Sequence, residues 1–340
     1  MKIIIDGMGG DNAPDEIVKG ALEALKVCEN DVSIILVGIR EHIEVELAKY
    51  SYDKYRVEVV NASEVISNEE APVRAVRAKK DSSIVVGMNM VKEGKGELFI
   101  SVGSTGAILA GSLFIMGRIQ GIDRPTLATV YPILGETPSL MVDAGANSES
   151  KANNLLEFAV MASIYMEKVL GRSKPSVGLV NLGTEENKGT AMTKTAHGLL
   201  KKSHLNFVGN IEGRDVPMGK CDIIVCDGFV GNVILKLTEG LAMNIMQLLK
   251  TKFTANLKAK MGTLFLREQL MSLKSEFDYT EYGGAPILGV KKPVVKMHGS
   301  SNANAVKNTV LKAIPFVREG VVDIIQEAVI ELEEIENHES

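Results

Sequence analysis

The sequence predicts an α/β fold in three layers, α/β/α, built on a mostly parallel sheet covered by helices on both faces. Three observations predict it. Short, continuously apolar, β-branched runs recur along the chain, and a strand apolar at every position is buried on both faces. Helical stretches separate most of these runs, which is the pattern of parallel crossovers. A polar loop with glycine follows the carboxyl end of run after run, where open α/β sheets bind ligands. At 340 residues the chain can bury a substantial core, and we expect one α/β domain over residues 1–340.

The elements follow in order. Residues 2–5 (KIII) make the first strand and end in a glycine loop. Asp11 or Asn12 then caps a helix with Pro14 in its first turn and Ile17, Ala21, Leu22 and Leu25 on its buried face. SIILV (33–37), RVEVV (56–60), ELFIS (97–101), SLMVD (139–143), SVGLVN (176–181), DIIVCD (222–227) and PVVKM (293–297) are further strands. Near residues 118–140, TLATVYPI faces SLMV across a Gly-Glu turn as an antiparallel hairpin. Residues 247–277 read as a helical hairpin. Leu249, Phe253, Leu257 and Met261 keep helical spacing beside Lys250, Lys252, Lys258 and Lys260, and MGTLFLR is its apolar tip. A second helix follows with Leu266, Leu270 and Leu273. The acidic stretch 327–340 is a solvated helix end, and there is no internal repeat or low-complexity linker.

Bulk properties narrow the function. A hydrophobic fraction of 45% and a mean hydropathy of +0.10 are those of a globular protein. A net charge of −5 and the lack of tryptophan argue against a nucleic-acid partner. Cys28, Cys221 and Cys226 have no zinc-like spacing and read as reduced, structural thiols. The N-terminus runs straight into a strand, with no cleavable signal, so a cytoplasmic location is expected. Residues 98–117 carry no charge over a length that could span a bilayer. Their glycines and hydroxyl residues instead make this a buried strand followed by a packed helix.

Six polar loops carry the chemistry: DGMGGDN (6–12), SVGSTGA (101–107), DAGANSESK (143–151), NLGTEENKGT (181–190), DGFVGN (227–232) and HGSSNAN (298–304). The dinucleotide pattern fails, because its third glycine would fall on Asn12. Lys188 precedes Gly189, the reverse of the Walker order. Asp6, Asp11, Asp143 and Asp227 follow strands, where aspartate serves as cap or turn residue, so no metal is expected. No serine or cysteine has a partner at nucleophile spacing. What remains is an inventory of hydrogen-bond donors suited to an anion and a developing oxyanion. No cofactor is called for.

Taken together, these loops with GNIEGRD (209–215) and EYGGAPILG (281–289) closely resemble the bacterial phosphate acyltransferases of phospholipid synthesis, in order, from about residue 1 to residue 320. Ser104 stands where the family often has Asn, and Gly7 where Ala is common. The resemblance implies transfer of an acyl group from acyl carrier protein thioester to inorganic phosphate. It also implies a fold related to isopropylmalate and isocitrate dehydrogenases, a homodimer, and association with the membrane, where a glycerol-phosphate acyltransferase consumes the product.

On that reading a phosphate oxygen attacks the thioester directly. Gly103, Ser104, Thr105 and Gly106 cradle phosphate with Ser300 and Ser301, and Lys188 neutralises it. Asn147 and Asn232 donate to the carbonyl oxygen; as alternatives they are turn residues. His298 protonates the leaving thiolate or holds phosphate. Arg74, Arg77, Lys79 and Lys80 form a basic patch for the acidic carrier protein, or a solvated face. Met261, Leu264, Phe265 and Leu266 form a membrane contact, the competing reading being a dimer or core hairpin. Rival functions are a phosphate acetyl- or butyryltransferase using coenzyme A, a dehydrogenase of the isopropylmalate class, and a membrane-docked scaffold that binds carrier protein without turnover.

Overall fold

The computed structural model describes residues 1–133, 135–276 and 283–339. The N-terminal half contains β1 (Lys2–Asp6), α1 (Asp15–Leu25), β2 (Ser33–Gly38), α2 (Arg40–Leu47), β3 (Val57–Asn61), α3 (Pro72–Ala78), α4 (Ser83–Lys92), β4 (Leu98–Ser101) and α5 (Thr105–Gly111). There follow β5 (Thr126–Leu127), β6 (Thr129–Tyr131), β7 (Ser139–Val142), α6 (Ala152–Lys168), β8 (Ser176–Asn181), α7 (Ala191–Lys202), β9 (Asn206–Glu212) and β10 (Ile223–Val225). The chain continues with α8 (Gly228–Phe253), α9 (Leu257–Phe265), α10 (Arg267–Glu276), β11 (Ala285–Leu288), β12 (Val294–Lys296), α11 (Ala303–Arg318) and α12 (Val321–Glu339).

The α/β class holds, but the strands divide into two sheets. One has the order β3-β2-β1-β4-β12-β11-β5, the other β6-β7-β10-β8-β9. Pairing is parallel through β3-β2-β1-β4-β12 and through β7-β10-β8-β9, and antiparallel at β11, β5 and β6. The expected hairpin forms, with Val130 opposite Leu140. Just before it, Leu127 pairs with Ile287 in the other sheet, so residues 126–131 stitch the two sheets together. The central strands are fully buried: Ile3, Ile4, Leu98, Phe99, Leu140 and Ile223 are all at 0% exposure.

Every strand expected from an apolar run is present. Two were not foreseen. In β11, Pro286 removes a ladder donor and disguises the strand. In β9, Gly209 at φ +100° follows a shift of register against β8. At α1 the expected cap is corrected: Pro14 is the N-cap residue and no side chain caps the helix. Asn12 Nδ2 instead reaches the carbonyls of Ser300 and Ser301, at 3.4 and 3.3 Å. The uncharged stretch 98–117 folds as β4, α5 and a wide helical turn at Ser112–Met116. Among the described residues no helix is long and apolar enough to cross a membrane.

The expected hairpin at 247–277 is also redrawn. Its first helix is the end of α8, which begins at Gly228. The helical spacing from Leu249 to Met261 is broken after Phe253, because Asn256 Oδ1 accepts Ala259 N at 2.9 Å and starts a new helix. Gly262 is no turn: it lies inside α9, where a glycine costs only about 1 kcal/mol. The bends fall at residues 254–256 and at Leu266, and Thr263 Oγ1 ties α9 back to the carbonyl of Phe253 at 2.9 Å. Phe277, Glu281, Tyr282 and Ser340 lie outside the described residues, as does the side chain of Leu273.

Candidate active site

The six loops gather in threes. β1, β4 and β12 are parallel neighbours, and their carboxyl ends bring together loops 6–12, 101–106 and 298–302. Contact is close: a Cβ on Gly9 would stand 2.5 Å from the amide nitrogen of Gly103. Asp11 N donates to Gly299 O at 2.9 Å. Beneath them Asp6 accepts from Ser101 Oγ at 2.6 Å, and Gly103 N donates to the same hydroxyl oxygen at 3.0 Å. Burial pushes the Asp6 carboxyl up, against the pull of these hydrogen bonds.

Loop 101–106 is largely packed in, with Ser101, Val102 and Ser104 buried. Ser104 is the N-cap residue of α5, yet its hydroxyl makes no capping bond. Thr105 and Gly106 are half-buried. Of the two serines beyond β12, Ser300 is exposed and lies 2.9 Å from His298 Nδ1. Ser301 is buried and its hydroxyl donates to His298 O at 2.6 Å, a bond that shapes the turn.

In the second sheet β7, β10 and β8 bring loops 143–147, 227–232 and 181–190 to one edge. Asp143 organises it. Oδ1 accepts from the amides of Leu127, Gly145 and Ala146, at 3.1, 3.2 and 2.9 Å, and Oδ2 accepts from Asn147 N at 2.8 Å. Asn147 is buried. Its amide nitrogen donates to Asp143 Oδ2 at 2.9 Å and to Pro125 O at 2.8 Å, which uses both hydrogens. Asp227 Oδ1 caps α8 through Val230 N at 2.9 Å.

The first turns of α8 bridge the two clusters. Asn232 is exposed, with its side chain 3.2 Å from where a Cβ on Gly145 would lie. One turn later, Lys236 Nζ is 3.4 Å from His298 Nε2. Burial, then the charges of Lys236 and Lys296, hold the His298 ring below its ordinary pKa, which favours the neutral imidazole. Asn232 is thus one helical turn from the Lys236–His298 contact, beside which Ser300 lies. Lys188 is exposed within its own loop, its stem 3.2 Å from where a Cβ on Gly183 would lie. Among the described residues no hydrogen bond joins its side chain to the other candidates.

The α3 patch packs on loop 101–106, where a Cβ on Gly106 would meet Pro72 at 2.5 Å. Arg74 and Arg77 line one shallow depression with Ala71, Pro72, Val73 and Ala78. The Arg77 guanidinium sits 5.0 Å over the Phe114 ring. Lys79 is bound internally, to Glu70 Oε1 at 2.7 Å and Val65 O at 2.8 Å. Lys80 is exposed.

A fatty acid synthesis protein family model matches residues 1–324. A phosphate acyltransferase of Alkaliphilus oremlandii is 55% identical over 329 residues, covering 97% of each chain. Another, of Clostridioides difficile, is 49% identical over 96% of each. The chain belongs to the phosphate acyltransferase family. It is thus an acyltransferase of fatty acid and phospholipid synthesis that transfers acyl groups to phosphate. Two solved phosphotransacetylases share the fold. That of Streptococcus pyogenes superposes with a TM-score of 0.64 at 18% identity, covering 94% of each chain. The Staphylococcus aureus protein gives 0.60 at 15%, covering 93% of this chain and 94% of that one.

Sequence reasoning missed Lys236 and Lys296. Lys296 had a visible signal: it is the only charged residue inside the apolar strand PVVKM. Lys236, between apolar residues of a helix, had none.

Proposed function

We propose that this phosphate acyltransferase takes its acyl group from acyl carrier protein and gives acyl phosphate by direct attack of bound phosphate on the thioester. The observation that carries this reading is the position of the arginine-bearing helix α3 against the phosphate loop, through Pro72 and Gly106. An acidic carrier protein docked on Arg74 and Arg77 delivers its thioester arm next to Ser104 and Thr105. The amides of residues 103–106 and the Ser300 hydroxyl hold the phosphate, and Lys188 adds charge from the opposite sheet.

The reaction balances without a cofactor. An oxygen of hydrogen phosphate forms a bond to the carbonyl carbon, and the carbon–sulfur bond breaks. The phosphate proton ends on the thiol. Asn232 donates to the carbonyl oxygen as it gains charge. Asp143 and Asn147 hold the loop against which Asn232 stands. His298, held toward its neutral form, relays the proton rather than serving as a standing acid. A homodimer docked on the membrane surface through Met261, Leu264, Phe265 and Leu266 would hand acyl phosphate to a glycerol-phosphate acyltransferase there. Exposed apolar side chains along α8 and α9 support this: Leu237, Leu264 and Phe265 are 69%, 71% and 83% exposed.

The test traps acyl phosphate with hydroxylamine from carrier-protein thioester and phosphate, in parallel with acyl-coenzyme A. Turnover that requires the carrier protein is expected. Arg74→Glu with Arg77→Glu should raise its KM alone, and Lys188→Ala should cut turnover by about a hundredfold. Equal rates with acyl-coenzyme A would refute the carrier-protein reading, and full activity of Lys188→Ala would remove that residue.

A further inference from the structure

Three nitrogen-bearing side chains converge where β12 runs out against α8. Lys296 is the last residue of β12 and is half-buried. Alternation along extended chain puts Lys296 and His298 on one side, and Val295 and Met297 on the other, in the core. Lys236 faces them from α8, its Nζ 3.4 Å from His298 Nε2. An ammonium group has only hydrogens to offer, so Nε2 faces a donor, while Nδ1 faces the Ser300 hydroxyl at 2.9 Å and accepts the Ser300 amide at 3.4 Å. Glu239 accepts from Lys236 Nζ at 2.7 Å, and Asp11 is a second carboxylate whose charge reaches the His298 ring.

The arrangement is repulsive at its centre. Desolvation and the charge of Lys236 hold Lys296 down at about 8. Lys296 is partly withdrawn from water beside the exposed ammonium of Lys236, whose ion pair is made with Glu239, so positive charge gathers here among the described residues. An anion bound between them relieves it. The position fits, because Lys296 pairs in register with Ser101, at the root of the 101–106 loop.

We propose that Lys236 and Lys296 form the charge-bearing half of the phosphate subsite and hold the anion between them, beside Ser300 and the 101–106 loop. The proposal rests on the acyl-to-phosphate reading of the crevice. Lys236 then exchanges Glu239 for phosphate when the anion enters, and His298 stays beside it for the proton relay.

The experiment uses the full chain, with Lys236→Met, Lys296→Met and Lys236→Arg, and inorganic phosphate as the calorimetric probe. Each lysine-to-methionine change should weaken phosphate binding, and raise the KM for phosphate, about tenfold or more. The KM for thioester should stay within about twofold, and Lys236→Arg should restore most of the loss. Methionine fills the same space, and circular dichroism reports whether each variant is folded. Phosphate affinity unchanged in both methionine variants would overturn the proposal. So would a parallel rise in both KM values, the mark of a general structural fault. Calorimetry needs no turnover, so lysine-dependent phosphate binding by a chain that forms no acyl phosphate would sink the reaction and keep the subsite.

Discussion

The two ends of α8 differ in what surrounds them. Gly228 and Gly231, in its first turn, are buried against the backbone oxygens of Asn147 and Asp143, so closely that a methyl group at either position overlaps them. Gly240, three turns on, has open space where a Cβ would be. The same contrast runs through the side chains. Beyond Gly231 no residue of α8 is buried, and Val233, Leu237, Leu241 and Leu248 are exposed. Residue identity at the crevice end is fixed by this chain's own packing. At the far end it is shaped for a surface that this chain does not cover.

A pair of alanines on this one helix breaks or sharpens the comparison most. Gly231→Ala should destabilise by about 3 kcal/mol, because the methyl meets backbone that cannot turn aside. It should also displace Asp143, and with it activity. Gly240→Ala should stabilise by about 0.5–1 kcal/mol. Urea titration reads both. Equal effects would mean that α8 packs alike along its length.

Next in size is the effect of charge on the arm. Leu264→Glu with Phe265→Glu should leave the melting temperature nearly unchanged, since surface changes stay within about 0.5 kcal/mol. Flotation with vesicles of anionic lipid should be lost. Binding retained at the level of the parent would assign these exposed apolar residues to something other than a lipid surface.

The crevice end was far more legible in the sequence than the arm, and the reason is physical. Strands buried on both faces are apolar throughout, so β1, β4, β7, β8 and β10 announce themselves, and the polar loop after each marks the site. Asn147 shows the limit. Its amide suits an oxyanion donor equally well on paper, and only the fold reveals that Asp143 and Pro125 use both hydrogens. Ser301 is a second such case. On the arm, Gly262 resembles a hairpin tip, but a helix absorbs one glycine readily. The bend at residues 254–256 was set by Asn256, a cap recognisable only once the helix start is known. Lys236 and Lys296 are 60 residues apart in sequence and meet only because α8 crosses from one sheet to the other.

The smallest expected effect concerns pH, and it separates the body from the arm again. Glu157, on α6, is pushed up to about 7 by burial, while its carboxylate accepts the amide of Asp123 at 3.2 Å. Its ordinary value is 4.5. Between these values the folded protein binds the proton more tightly than the unfolded chain does. The contribution is therefore fully present below 4.5, declines as pH rises, and is gone above about 7. Glu157→Gln should flatten that decline, read as urea midpoints between pH 5 and pH 8. α9 packs on α8 and α10 rather than on α6, which carries Glu157. Proteolysis within residues 254–266 should accordingly keep the same rate across this range. A cleavage rate there that tracks the Glu157 titration would show that the arm and the body open together, and that the helix joining them transmits what the crevice end feels.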